Sequence, residues 1–493
     1  MKKYLLGIDV GTTGTKTLLF CTDGTLLGHA YRPYPTDTPK PGISEQNAED
    51  WWNAVVDTVR EVCTDPEVCC HVAGISLSLQ GGTMVAVDAY GRPVRPAMVW
   101  SDQRCEAQVK RYLQEVGAEE TMYQKTGWAL GKGLNALQIR WMKDNEPENF
   151  SKTHMFLSVP DYISWKLTGI AAVDPSDAGI NQLADIRRLA YDPALLAFAG
   201  ITEAQLPRIV DSGGVIGPLT EEAAETLGLT TDCMLCAGAH DQYAVALGAG
   251  ACKAGDILIG SGTCWVITAI GDAPDFETGL SQSVAAVPGK WGSLWSLETG
   301  GVCLEWWRRL TVDSNGEKLP FDEINREVSR RKAAENGLFF VPFASPVGFT
   351  KHFEKATFLG LDLSHDRFHL ARAIMEGVAF QIVGMLEFFR TKPSGEGLKL
   401  AGGAAKSPVW RQLLADISGL PVKIPEVADL ACVGAAILAG VGSGVFHSTA
   451  EGYDRLAVTT ETVYPDPVQT ARLRPLLEEY KVRAAALAAV YGL

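Results

Sequence analysis

The stretch YLLGIDVGTTGTKTLLFCTDGTLLGHA, residues 4–30, decides the fold. Its apolar runs predict three short strands, at residues 4–8, 15–21 and 25–30. The Asp23-Gly24 pair supplies the tight turn between the second strand and the third. The stretch therefore predicts a meander of three strands at the start of the chain.

The residues that follow extend this meander into an α/β fold. A helix is predicted over residues 48–63, with Asn47 as its N-cap. Strands are predicted at residues 72–79 and 84–88. This order predicts a sheet with an antiparallel edge, and it differs from the strictly alternating order of a dinucleotide-binding sheet.

The opening pattern returns past the middle of the chain. A strand at residues 256–259, the loop Gly260-Ser261-Gly262-Thr263 and a strand at residues 264–270 repeat the order of strand, Gly/Thr loop and strand. This repetition predicts two domains of related topology. We expect them to be residues 1–248 and 249–493, and the boundary to lie near residues 248–254.

The second half contains further α/β elements. Strands are predicted at residues 337–342 and 398–401, and helices at residues 366–390, from residue 407, from residue 431, and at the end of the chain to about residue 489.

The composition excludes several classes of protein. The chain has 493 residues, of which 44 are Lys or Arg and 58 are Asp or Glu, so its net charge is −14. An acidic chain without a Lys/Arg tract is not expected to have nucleic acid or an anionic membrane as its main partner. The 11 cysteines are scattered and odd in number, and no signal-peptide core precedes Gly7, so we expect a cytoplasmic protein.

The first Gly/Thr loop, GIDVGTTGTK at residues 7–16, has the composition of a phosphate-binding loop. Gly11 and Gly14 let the backbone turn tightly, and Thr12 and Thr13 add hydroxyl donors to the exposed amides. Asp9 ends the preceding strand, where a carboxylate can hold Mg²⁺ against nucleotide phosphates. The alternative is a glycine-rich hairpin with a polar turn, and the spacing to the lysine is not that of a Walker loop.

Two later loops could complete a nucleotide site. Gly262 and Thr263 repeat the first loop, although a simple β-turn is the alternative. The segment LKLAGGAAKSPVW, residues 398–410, passes from a strand through Gly402-Gly403 into a helix. Glycines in that position allow adenine or ribose to lie against the backbone, and a tight strand-to-helix connection is the alternative.

The candidate for chemistry at an alcohol is Asp241, in the segment CAGAHDQYAVALGAG at residues 236–250. A carboxylate among small residues can accept a proton from a hydroxyl during phosphoryl transfer. The alternative is an aspartate that caps the following helix. His240, His365 and His369 have no triad context, and the Cys233–Cys236 pair is expected to be buried thiols.

Taken in order, these segments resemble the FGGY carbohydrate kinase family over nearly the whole chain. The loop at residues 7–16 resembles the family's first phosphate loop, GSGT at residues 260–263 the second, AGGAAKSPVWRQLLAD at residues 401–416 the adenosine segment, and AHDQ at residues 239–242 the segment with the catalytic aspartate. Within the family, WSDQR at residues 100–104 and DYISWKLTG at residues 161–169 are most similar to the xylulokinase branch.

Two positions depart from the pattern. Residues 80–83 read Gln-Gly-Gly-Thr, so the sugar-contacting Met-His pair of xylulokinases is missing, and Gln138 stands where the family signature has a lysine. These departures leave the predicted kinase chemistry intact and the identity of the sugar open.

The resemblance implies two ribonuclease H-like α/β domains of the actin and hexokinase superfamily, flanking a cleft. It implies a small-molecule sugar substrate, D-xylulose above all, with ribulose, fuculose or erythritol as alternatives, and ATP and Mg²⁺ as cofactors. A homodimer is the expected assembly if the chain self-associates. An actin-fold ATPase that acts as a nucleotide-driven binding protein is the alternative from another class.

The resemblance also assigns roles to residues. Asp241 is expected to be the catalytic base and Asp9 the metal ligand. The sugar-binding residues are expected to be Gln80, Gly81, Gly82, Asp102 and Gln242. The nucleotide-binding residues are expected to be Gly11, Thr12, Thr13, Lys16, Gly262, Thr263, Gly402, Gly403, Ala404 and Lys406.

Overall fold

The described chain alternates strands and helices throughout. A computed structural model describes residues 3–312, 315–342, 355–427, 429–456 and 460–487, together with the backbone of residues 488–490. The strands are β1 (Tyr4–Val10), β2 (Gly14–Cys21), β3 (Leu26–Pro33), β4 (Glu45–Gln46), β5 (Val72–Leu79), β6 (Met84–Val87), β7 (Ala97–Met98), β8 (Met155–Ser158), β9 (Ala172–Val173), β10 (Ala184–Asp185), β11 (Ala190–Tyr191), β12 (Arg208–Ile209), β13 (Val215–Pro218), β14 (Met234–His240), β15 (Ile257–Ser261), β16 (Trp265–Gly271), β17 (Ser281–Val284), β18 (Trp291–Leu297), β19 (Phe339–Val341), β20 (Thr357–Leu359), β21 (Leu398–Gly402), β22 (Val422–Pro425) and β23 (Thr460–Val463).

The helices are α1 (Ala48–Val62), α2 (Pro66–Cys69), α3 (Glu106–Glu115), α4 (Glu119–Thr126), α5 (Asn135–Asn145), α6 (Pro147–Lys152), α7 (Val159–Thr168), α8 (Pro175–Ile180), α9 (Pro193–Ala199), α10 (Glu221–Leu227), α11 (Asp241–Gly248), α12 (Gly300–Leu310), α13 (Phe321–Ser329), α14 (Arg367–Met385), α15 (Pro408–Ser418), α16 (Leu430–Gly442), α17 (Thr449–Leu456) and α18 (Pro467–Val490). Short 3₁₀ helices span Glu203–Gln205, Glu335–Gly337 and Ala404–Lys406. No described helix is both long and apolar enough to cross a lipid bilayer.

The chain divides into two compact units, and each is discontinuous in sequence. The first unit consists of Met1–Cys252, Ser281–Gly292 and Val427–Val458, and the second of Lys253–Leu280, Ser293–Glu426 and Thr459–Leu493. The predicted boundary near residues 248–254 agrees with the first crossing, although residues 281–292 and 427–458, which the prediction assigns to the second domain, pack with the first unit. The reason is long-range packing: helix α16 lies against β1, β5 and α11 of the first unit.

The first unit is built on a six-stranded sheet with the order β13-β14-β5-β1-β2-β3. Strands β1, β2 and β3 form the predicted antiparallel meander, and β5 and β14 continue the sheet parallel to β1. The carboxyl ends of β1, β5 and β14 therefore lie side by side. A smaller sheet, β4-β7-β6-β8, belongs to the same unit.

Helix α1 covers this sheet because its apolar residues recur at helical spacing. Trp51, Val55, Thr58 and Val59 are buried on one face. The Asn47 side chain caps the helix by accepting a hydrogen bond from the amide of Glu49, as the sequence predicts.

Helices α11 and α16 approach each other at backbone distance. A Cβ atom at Gly434 would overlap the carbonyl of Ala244, and one at Gly248 would overlap that of Leu430. Glycine at both positions therefore allows α16 to lie directly on α11, whose first residue is Asp241.

The second unit repeats the topology of the first. Its strands have the order β18-β16-β15-β21-β22-β23, in which β15 is antiparallel to β16 and parallel to β21, and β22 is parallel to β21 and antiparallel to β23. A buried apolar core that includes Trp265, Trp307 and Phe380 fills this unit. The predicted internal repeat is confirmed, and all eleven cysteines are free thiols.

Candidate active site

Three predicted segments meet at one edge of the first sheet. The loop after β1, Gln80 after β5 and Asp241 after β14 all follow the carboxyl ends of neighbouring parallel strands. Ligands of open α/β sheets bind at such edges.

The loop between β1 and β2 contains two amides without an acceptor among the described residues. Gly11 donates its amide hydrogen to the carbonyl of Gly14, while the carbonyls of Thr12 and Thr13 accept hydrogen bonds from Gln46 and Tyr31. No described residue accepts a hydrogen bond from the amides of Thr12 and Thr13. Two unpaired amides in a tight loop suit anionic oxygens.

A cluster of charges lies directly beneath this loop. Asp9 is buried and accepts a hydrogen bond from Ser78 at 2.9 Å, and its cross-strand partner Lys16 lies 3.6 Å away. Lys16 also pairs with Asp429 at 2.6 Å. Burial raises the pKa of Asp9 to about 7, with further contributions from the charges of Asp429 and Asp241.

The cluster fits a divalent cation. The charges of Asp429 and Asp241 both act on Asp9, and Lys16 is the cation paired with Asp9 and Asp429, so the carboxylates of the cluster outnumber its cation. The described residues contain no group of three or more His, Cys, Asp or Glu arranged as ligands. Mg²⁺ commonly takes only one or two protein carboxylates and completes its shell with water and phosphate.

Lys16, a predicted nucleotide-binding residue, forms ion pairs within this cluster. Burial lowers its pKa, but the ion pairs with Asp429 and Asp9 outweigh burial and raise the pKa overall. The side chain is 38% exposed, so it can still touch a phosphate while it neutralises these carboxylates. Asp429 caps helix α16 by accepting a hydrogen bond from Cys432, and no local signal in the sequence relates it to Lys16.

Asp241 is the first residue of α11 and is not its cap. The N-cap position belongs to His240, and no side chain caps this helix. Oδ1 of Asp241 is buried without a hydrogen-bond partner, and Nε2 of His240 lies 3.4 Å from it. The alternative reading as a helix cap is therefore excluded, and the carboxylate has an oxygen available for a ligand.

Gln80, Gly81 and Gly82 follow β5 at the same edge of the sheet. The Gln80 side chain donates to Gln46 at 3.2 Å and accepts from Thr83 at 3.3 Å, which leaves one amide hydrogen for a ligand. Gln242 follows Asp241 on α11 and is half-buried.

Asp102 does not lie open to a ligand. Its fully buried carboxylate accepts hydrogen bonds from the amide of Ser44 and from the amide and guanidinium of Arg104, two at each oxygen. Protein donors therefore hold both oxygens of Asp102, and a direct contact from Asp102 to the sugar stays a prediction. Gln138 is also structural, since its amide donates to the carbonyls of Met98 and Gly133.

Two buried acids near Asp241 were not predicted. Asp174 caps α8, and Asp177 in that helix has both carboxylate oxygens buried without a hydrogen-bond partner. Burial, and then the charge of Asp174, hold the pKa of Asp177 well above its usual range. Helix α8 contacts β14 through Ser176, whose hydroxyl accepts a hydrogen bond from the amide of His240.

The second Gly/Thr loop belongs to a cavity of about 620 Å³ within the second unit. Five predicted nucleotide-binding residues line it: Gly262, Thr263, Gly403, Ala404 and Lys406. The paired rings of Trp265 and Trp410, 5.2 Å apart, form part of its wall. A cavity of this size suits a nucleoside.

Gly402 allows the two loops of this cavity to approach each other closely. Its φ is 93°, and a Cβ atom there would come within 2.6 Å of the Ser261 carbonyl. The amide of Gly403 donates to that carbonyl at 2.6 Å, and the amide of Ala404 donates to the Ser261 hydroxyl at 3.0 Å.

Comparison with known proteins assigns the family. Residues 4–248 match the N-terminal domain of the FGGY family of carbohydrate kinases, and residues 256–443 match its C-terminal domain. The chain belongs to the FGGY family of carbohydrate kinases. Membership makes it a sugar kinase and excludes the alternative of a nucleotide-driven binding protein.

Relatives of this FGGY kinase act on several sugars. It is 30% identical to the L-xylulose/3-keto-L-gulonate kinase of Escherichia coli (strain K12), over 99% of this chain and 98% of that protein. It is 29% identical to the xylulose kinase of Bacillus subtilis (strain 168), over 97% and 96%. The crystal structure of xylulose kinase from Rhodospirillum rubrum superimposes with a TM-score of 0.89 at 27% identity, over 99% of each chain. The predicted fold class is therefore confirmed.

Proposed function

We propose that the chain transfers the terminal phosphoryl group of ATP to a primary hydroxyl of a ketopentose, with D-xylulose as the first candidate. The single observation that supports this most is the unpartnered Oδ1 of Asp241, at the sheet edge that also bears the first Gly/Thr loop. An alcohol is a weak nucleophile, and a carboxylate that accepts its proton activates it.

Each residue then has a distinct task. Asp241 accepts the proton as the hydroxyl oxygen attacks the terminal phosphorus, and the bond from that phosphorus to the bridging oxygen of ADP breaks. The amides of Thr12 and Thr13 bind the oxygens of the transferring group. Asp9 would hold Mg²⁺, which would neutralise phosphate charge when bound, and Lys16 limits repulsion among the carboxylates. The cavity beside Gly403 binds adenosine.

The charges around Asp241 favour a neutral sugar over a sugar acid. Asp241 belongs to a group of carboxylates. The charges that raise the pKa of Asp177 are those of Asp174, Asp161 and Asp241. A substrate with a carboxylate of its own would add negative charge to this group, at a cost that low dielectric increases. We therefore place 3-keto-gulonate and gluconate below the ketopentoses.

A substrate panel tests the proposal. ADP release is measured with the four 2-pentuloses, L-fuculose, erythritol, D-gluconate and 3-keto-L-gulonate. We expect one pentulose to raise ATP turnover by about 100-fold or more over the sugar-free rate, as expected for a positioned acceptor, and the two sugar acids to stay near it. A preferred sugar acid, or turnover that no sugar raises, would contradict the proposal.

A further inference from the structure

Glycine at position 81 does not leave an open space. A Cβ atom there would lie 2.6 Å from Cδ2 and 2.9 Å from Nε2 of His240, and 3.0 Å from Ile180. Any larger side chain at position 81 would overlap the imidazole. The two residues are therefore matched: the histidine fills the room that glycine provides.

The His240 ring is held in one orientation. It packs edge-on against Trp128, with ring centres 5.9 Å apart, and lies 6.0 Å from the ring of Tyr243. Its backbone amide donates to Ser176 at 2.9 Å. A ring fixed from three sides keeps its nitrogens in place without a ligand, which is the requirement for a selective site.

The ring nitrogens nevertheless have no protein hydrogen bond. His240 is 6% exposed, and its Nδ1 is buried without a partner. Nε2 is the nitrogen beside Gly81, and its distance of 3.4 Å to Asp241 is longer than a good hydrogen bond. Buried polar atoms without partners are rare in folded proteins, and a functional role is one explanation for such an atom.

We propose that His240 determines sugar specificity, through a hydrogen bond from its imidazole to a hydroxyl next to the one that Asp241 deprotonates. The imidazole thus supplies, from the end of β14, the polar contact that Gly81 and Gly82 cannot supply after β5. This inference rests on the proposed function, since it names the residue that recognises the proposed substrate.

The first test replaces the imidazole by a ring without nitrogens. His240→Phe keeps the packing against Trp128 and removes the hydrogen bond. We expect the KM for the preferred pentulose to rise about 10- to 100-fold, because one hydroxyl loses its partner, and the preference over its C3 or C4 epimer to fall by a similar factor. The KM for ATP should not change. His29→Phe, at an exposed position of β3, is the matched control.

Two outcomes would overturn the inference. One is an unchanged ratio between epimers in His240→Phe. The other is an equal fall in kcat for every pentulose at constant KM, since His240 would then act through Asp241 and would not contact the sugar. If the wild-type enzyme phosphorylates no pentulose or polyol, it is the proposed function that fails.

A double-mutant cycle tests the matched pair independently. Gly81→Ala should raise the sugar KM, because the new methyl group pushes against the imidazole. In the His240→Ala background the same change should have an effect about five-fold smaller or less, since the clash is gone. Gly395→Ala, where a Cβ atom has no neighbour within 4 Å, is the control. Equal effects of Gly81→Ala in both backgrounds would contradict the contact.

Discussion

The two Gly/Thr loops occupy the same position in two related sheets, yet the side chains around them differ in charge. In the first unit, Asp9 and Lys16 face each other across β1 and β2. In the second unit, the corresponding pair across β15 and β16 is Gly260 and Val266. The first loop lies over a cluster of charges, and the second lies beside paired tryptophans.

This difference indicates that the backbone of the strand-loop-strand motif determines where a phosphate or nucleoside can bind. The side chains next to the loop determine which chemistry is possible there. A strand, a tight loop and a return strand provide amides in both units. In the first unit the buried carboxylate of Asp9 lies in the strand before the loop and pairs with Lys16, whereas the cavity beside the second loop has the carboxylates of Glu305 and Asp322 in its wall. Chemistry and nucleoside binding can therefore be separated by mutation.

The largest effect is expected from a substitution among the carboxylates of the first unit. Asp241→Asn should lower kcat by about 10³-fold or more, because the amide cannot accept the hydroxyl proton. ATP binding, measured by titration calorimetry, should remain within about two-fold of the wild type, since no proposed contact to adenosine is lost.

Asp232→Asn, at an exposed position of the first unit, is the control for the loss of one negative charge. A loss of ATP binding in Asp241→Asn would instead place Asp241 at the metal.

An intermediate effect is expected from a substitution in the cavity of the second unit. Gly403→Val places a branched side chain in the cavity beside Trp410, where a Cβ atom has only the Ser261 carbonyl nearby, at 3.3 Å. We expect the KM for ATP to rise about ten-fold, because adenosine and valine compete for the same space. Steady-state kinetics should show an unchanged KM for the sugar.

Gly395→Val is the control, since nothing lies within 4 Å of a Cβ atom there. An increase in the sugar KM equal to that for ATP would mean that the two sites are not separable in this way.

A further effect concerns the stability of the fold and its dependence on pH, and it leaves the kinetic constants aside. Asp161 is fully buried in the first turn of α7, and burial raises its pKa from 3.8 to about 6. The folded state therefore favours the protonated carboxyl, so this contribution to stability is complete below pH 3.8 and is lost as the pH rises through 6. The loss amounts to about 3 kcal/mol, since one pKa unit is worth about 1.4 kcal/mol.

Urea unfolding between pH 4 and 8 measures this dependence. Asp161→Asn should have a shallower decline in the free energy of unfolding than the wild type, and Asp232→Asn should follow the wild type. A decline of equal steepness in Asp161→Asn would show that other groups, such as Asp177, account for the dependence on pH.

Local sequence signals predicted most of the fold. The strands of the opening meander, the Asn47 cap and the repeated Gly/Thr loop depend on residues close in sequence, so their patterns can be read directly. The return of α16 to the first unit could not be predicted in this way. It depends on contacts such as Gly434 with Ala244, which are far apart in the chain.

The candidate site could also be predicted only in part, because some of its residues meet only through folding. Asp9 and Asp241 follow strands and stood out as candidates, whereas Asp429 is related to them only through an ion pair formed by folding. The ion pair between Asp102 and Arg104 also could not be assigned from sequence. His240 has no triad context in the sequence, and its position next to Asp241 in the AHDQ segment is the signal that could identify it.

The return of α16 also has a consequence for the timing of synthesis. The first unit lacks the helix that lies against β1 and α11 until the segment Val427–Val458 has left the ribosome. Until then Lys16 has no Asp429, and the backbones of Gly7 and Gly248 have no helix to cover them. The nascent first unit is therefore expected to need protection from chaperones for most of translation, and to close only when nearly the whole chain has been made.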